Sequence, residues 1–143
     1  MPLINAVTDP IIVVGTRGGD SATKVQNLNR VTEILTVQDT NARHLTLTAE
    51  NIKGGINVHT SVTGGGTVTV DTAANIIAKV PLTEDGQCIV SYYVNDGNQT
   101  ATFAVASGTT ITNVANTVAT NEAATLIWRR TSATAVVLTI VSS

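Results

Sequence analysis

Residues 67–94 read TVTVDTAANIIAKVPLTEDGQCIVSYYV, and the order of elements in this stretch sets the expected fold. A short alternating strand comes first, then a compact helix, a proline stop, an Asp-Gly turn and a second alternating strand. Asp71 stands directly before the apolar run, where a carboxylate can accept from the free N–H groups of a first helical turn. Ala73, Ile76, Ile77 and Val80 recur at i, i+3, i+4 and i+7, with Asn75 and Lys79 on the other side. Pro81 lacks an N–H and disfavours helical geometry at Val80, so the spacing predicts one short helix over about Thr72–Lys79. At about 1.5 Å per residue it is ~12 Å long, too short to stand alone, and it must pack on a sheet.

On either side of this helix the period is two. Downstream, Cys88, Val90, Tyr92 and Val94 face one way and Ile89, Ser91 and Tyr93 the other. Asn95-Asp96-Gly97-Asn98 reads as a hairpin, because these residue types tolerate positive φ. Its partner strand places Ala101, Phe103 and Val105 on one face. Residues 110–117 alternate weakly, and 123–130 and 135–141 form a last pair of strands. Upstream, strands are expected at 31–37, around Leu45 and Leu47, and at 56–62, with one helical turn at 49–53 closed by Gly54-Gly55. About nine or ten short strands with frequent turns predict an all-β fold, an antiparallel β-sandwich or jelly roll. Residues 1–20, carrying Ile4, Ile11 and Ile12, form either an N-terminal arm or a first strand. Residues 21–143 form a single β-sandwich domain.

A chain of 143 residues fits one domain able to bury about 68–70% of its unfolded surface. Charged residues make up only 13% and aromatics 3%, against an apolar fraction of 43%. Threonine is roughly one residue in six, a β-branched bias that suits pleated sheet. A net charge of −2 with no basic stripe excludes a nucleic-acid partner. No window approaches the ~18 apolar residues of a spanning helix, so no membrane partner is expected, and the amino terminus reads as no secretory signal. Cys88 is the sole cysteine and forms no intrachain disulfide.

The conspicuous side chains carry no catalytic constellation. His44 and His59 lack companions at metal spacing and read as strand or surface residues. Cys88, mid-strand, reads as a small buried apolar residue. Glu84 and Asp85 read as solvated turn acids, and no acid pair is fixed at working distance for glycoside chemistry. Gly15 to Asp20 lacks the lysine of a phosphate loop and reads as a turn. No enzyme activity, metal or cofactor is therefore expected. Tyr92 and Tyr93 face opposite sides, so at most one is core; Tyr93, Arg129 and Arg130 are the expected subunit or partner contacts. With only 8 Lys and Arg in the chain, few strand edges carry the charged guards that keep a free monomer from pairing, which points to faces covered by symmetric neighbours.

The order LTLTAENIKGG, VTVDTAANIIAKVP, FAVASGTTI, TNEAATLIWRR and a closing VVLTI resembles a jelly-roll module of structural proteins in tailed bacteriophages and large DNA viruses. The likeness covers residues 45–140. It implies no catalytic residues, a homotrimer, and a place on the outer capsid surface of a virion. The leading expectation is a capsid decoration or cement protein that stabilises the shell, with the major capsid protein lattice as partner and Ile4, Ile11 and Ile12 as apolar anchors. The alternative is a fibre head or adhesin binding a host-surface glycan or receptor.

Overall fold

Thr-Ala-x-Asn-Ile occurs twice, at 48–52 and 72–76, and each copy starts a helix. The computed structural model describes residues 36–60, 64–112 and 116–143. Along them run β1 (Thr36–Thr40), β2 (Leu45–Leu47), α1 (Ala49–Gly54), β3 (Gly55–His59), β4 (Thr67–Val70), α2 (Ala73–Lys79), β5 (Cys88–Asn95), β6 (Ala101–Ala104), β7 (Thr109–Ile111), β8 (Thr117–Val118), β9 (Glu122–Ser132) and β10 (Ala135–Ser142). Expected features at 1–20 and across most of 31–37 lie outside the described residues.

Each helix is begun by its threonine. Thr48 Oγ1 accepts from Asn51 N while Asn51 Oδ1 accepts from Thr48 N, a reciprocal cap. Thr72, not the expected Asp71, caps α2 by accepting from Asn75 N. Asp71 instead joins the two helix starts: one carboxylate oxygen accepts from Ala49 N at 3.0 Å, the other from Thr72 N and from Asn75 Nδ2. Pro81 ends α2 as expected, with Val80 extended at φ −91°. Gly55 ends α1 at φ 102°, a conformation only glycine adopts cheaply.

These repeats set the topology. The strands form a six-stranded sheet in the order β1-β3-β5-β9-β10-β7 and a four-stranded sheet in the order β2-β4-β6-β8. The chain passes from the first sheet to the second and returns through a helix, so successive coils lay β1, β3 and β5 parallel in one sheet and β2, β4 and β6 parallel in the other. The fold is therefore mostly β, in two sheets, with two helices rather than one. The expected antiparallel arrangement needs correction. Antiparallel pairing holds for β5–β9, β9–β10 and β6–β8, whereas β7 joins β10 in parallel. The physical cause is the return path. A helix carries the chain back to the side where the previous strand began, which is what a parallel neighbour requires.

The expected hairpin at 95–98 is a corner between sheets. None of its residues has positive φ. Buried Asn95 donates from Nδ2 to the carbonyls of Gln99, Val118 and Ala119, and its Oδ1 accepts from Gly97 N. One amide thus holds β5, the corner and the approach to β9 together, whereas the β9–β10 hairpin forms as expected.

Between the sheets, Leu45, Leu47, Val68, Val70 and Phe103 meet Leu126, Trp128, Val136 and Leu138, with Ile52 and Ile76 from the helices. Tyr93 packs edge-on against Phe103 with ring centres 5.1 Å apart, linking the two layers. Burying each such large side chain contributes about 2–3 kcal/mol.

Candidate assembly face

The polarity of β3 and β5 is inverted. Their inward faces carry Asn57, His59, Ser91, Tyr93 and Asn95, all buried. Their outward faces carry Ile56 and Val58, and Cys88, Val90, Tyr92 and Val94.

The inward polar groups are all answered. His59 bonds the Tyr93 hydroxyl through Nδ1 at 2.8 Å and the carbonyl of Ala42 through Nε2. Because a carbonyl only accepts, Nε2 carries the proton and Tyr93 donates to Nδ1. Trp128 Nε1 donates to Ser91 Oγ at 2.8 Å, and Asn57 donates to the carbonyls of Asn51 and Tyr92. Among the described residues no buried side-chain nitrogen or oxygen is left without a partner. Burial pushes the Tyr93 hydroxyl well above the usual tyrosine range.

Outward, strand register lines the side chains into ranks. One rank runs Val37, Ile56, Tyr92, Thr125, Val141 across five strands. Beside it run Asp39, Val58, Val94, Ala123 on one flank and Val90, Ile127, Thr139 on the other, then Cys88, Arg129, Val137, Thr110. Val37, Val90, Tyr92 and Val141 are 61%, 43%, 42% and 52% exposed, the largest open apolar side chains on this face. A shallow depression here is lined by Tyr92, Ala123, Thr125 and Val141. The charges of the face are Asp39, on the edge strand β1, and Arg129, on β9 in the last of these ranks.

The four-stranded sheet gives the contrast. Its outward ranks are Thr46, Thr69, Ala104 and Thr67, Thr102, Thr117, hydroxyl-rich and suited to water. Both are outward faces of one fold, so β propensity alone does not account for the difference.

The expected contact residues separate. Tyr93 is 0% exposed, so the tyrosine that reaches outward from β5 is Tyr92. Arg130 is taken up within the chain. Its guanidinium donates to the carbonyls of Leu82, Thr83 and Ser132 and pairs with Asp85 at 3.0 Å, tying the 82–86 turn to β9. Arg129 alone of the three stands exposed on the outward face. Ile4, Ile11 and Ile12 lie outside the described residues.

Cys88 is exposed rather than buried, because it belongs to the outward set of β5. His59 is a core residue, whereas His44 accepts from Thr67 N in a turn. Among the described residues no three His, Cys, Asp or Glu side chains gather to hold a metal ion, and no helix is long and apolar enough to cross a membrane. Compared with protein-family models, curated proteins and solved structures, the chain matches none.

Proposed function

We propose that this chain is a structural protein of a virion, a homotrimeric decoration or cement protein on the outer capsid surface that stabilises the shell. The observation that carries the reading is the apolar outward face of the six-stranded sheet. An exposed apolar surface of this extent marks a contact surface. The order of motifs in the sequence supplies the virion context. The jelly-roll arrangement implied by that order is retained only as two facing β-sheets, since parallel coils build half of the structure.

A decoration protein acts by mass action. Binding the assembled lattice but not its dissociated subunits, it stabilises the lattice by RT ln(1 + [L]/Kd), about 2.7 kcal/mol per site at a hundredfold excess over Kd. No bond is made or broken, so the reading assigns no catalytic residue and no cofactor. Ile4, Ile11 and Ile12 are the proposed anchors to the major capsid protein.

The test is to mix the purified protein with empty capsids of its source virus that lack it, sediment them, and heat them. The reading predicts co-sedimentation at a fixed ratio to capsid subunits and a higher disruption temperature. Protein that stays in the supernatant and leaves the disruption temperature unchanged contradicts it.

A further inference from the structure

We infer that the outward face of the six-stranded sheet, centred on Tyr92, is the contact between copies of this chain, and that the capsid is met elsewhere. The inference rests on the homotrimeric reading above and assigns its interface.

Three observations favour a further copy as the occupant. The first is area. Strands about 4.8 Å apart and outward side chains about 6.7 Å apart along each strand give the ranked positions on the order of 500 Å² in plan. That plan, before the relief of the side chains is counted, is already more than about half of the ~800 Å² per partner of a stable interface.

The second is the distribution of polarity. The centre holds Ile56, Val90, Tyr92, Val94 and Ile127, without charge; Asp39 lies on the edge strand β1, and Arg129 lies in the outermost rank between Cys88 and Val137. Permanent interfaces have this apolar, aromatic-anchored centre and polar rim. One acid and one base leave the face neutral. It neither repels its own copy nor selects a strongly charged partner.

The third is timing. A face covered only on reaching the capsid stays open during synthesis and storage, where an apolar sheet invites aggregation. A neighbouring copy is present as soon as the chain is made.

The experiment uses the full chain and three single variants: Val90→Lys and Tyr92→Lys on this face, and Thr69→Lys on the outward face of the other sheet. All three positions are exposed, so the charge does not enter the core. Sedimentation velocity gives mass, circular dichroism reports folding, and the capsid mixture reports lattice binding. The inference predicts that wild type and Thr69→Lys sediment as the same assembly while Val90→Lys and Tyr92→Lys fall to folded single chains, a threefold drop in mass from a trimer. Face variants that keep the wild-type mass overturn it, and if they also lose the capsid, this face is the lattice contact and the virion reading survives. A monomeric wild type overturns both the inference and the homotrimer. Variants that unfold although Thr69→Lys does not also count against it, because a free face tolerates charge.

Discussion

At Tyr92 and Tyr93 two adjacent residues of one kind take opposite fates. Alternation shows that they point apart, but not which one points inward. Side-chain polarity by itself points the wrong way, since Val90 and Val94 share the side of Tyr92 whereas Ser91 and Asn95 share the side of Tyr93. The inward side is polar because His59, Trp128 and backbone carbonyls answer it, and those partners come from distant parts of the chain. Removing the Tyr93 hydroxyl leaves a buried imidazole nitrogen unanswered, so Tyr93→Phe costs about 1–2 kcal/mol in chemical denaturation. Combining it with His59→Phe costs less than the sum of the two singles, because both remove the same bond. Raised by burial, the hydroxyl stays protonated in the folded protein while the unfolded chain ionises near pH 10. Stability from this group is thus complete below about pH 10 and falls as pH rises beyond it, and Tyr93→Phe flattens that alkaline loss. Asp71 works at the opposite end. Partial burial raises its carboxyl, but hydrogen bonds from Asn75, Ala49 and Thr72 together outweigh this and hold it below the usual range. Its contribution is present above about pH 4 and is lost as pH falls through the lowered folded value, so Asp71→Asn removes that part of the acid dependence. Gly108 sits at φ 77°, where an added Cβ would lie 2.6 Å from the Thr134 carbonyl oxygen and 2.8 Å from Ala73 Cβ. Backbone strain and overpacking add there, so Gly108→Ala lowers stability by more than about 2 kcal/mol.

Among elements, the helices and the terminal hairpin were legible because their signals are local. Asn-Ile after Thr-Ala, a proline stop and a glycine stop all act within one turn of chain. The second helix was undervalued because 49–53 looked like a single turn. Reading Thr-Ala-x-Asn-Ile as a repeat would have found both it and the coils. Each helix has two turns or fewer and depends on its cap, so Thr48→Ala and Thr72→Ala each cost about 1 kcal/mol, measured by the thermal midpoint. Strand partners were not legible. Alternation specifies faces, whereas parallel or antiparallel pairing depends on where the connection returns the chain. Asn95 shows the difference. Asn-Asp-Gly-Asn looks like a two-strand turn, yet the side chain of Asn95 binds three carbonyls across a corner between sheets. Asn95→Ala leaves those carbonyls without that donor and is expected to cost about 2–3 kcal/mol, the largest loss among the polar substitutions at this edge.

For the whole molecule, the low charge and abundant β-branched residues raise the expectation of a covered surface, and the ranks on the six-stranded sheet are the face we propose for it. Hydropathy did not locate it, because an apolar residue facing a partner reads the same as one facing the core. Only the second sheet, with its threonine ranks, supplies the comparison that separates the two. The central claim is that this face is buried between copies of the chain. Light scattering of the wild-type protein across a dilution series tests it most directly. The account predicts one species near three times 14.8 kDa that persists to micromolar concentration and below. A folded species of 14.8 kDa at every concentration contradicts it.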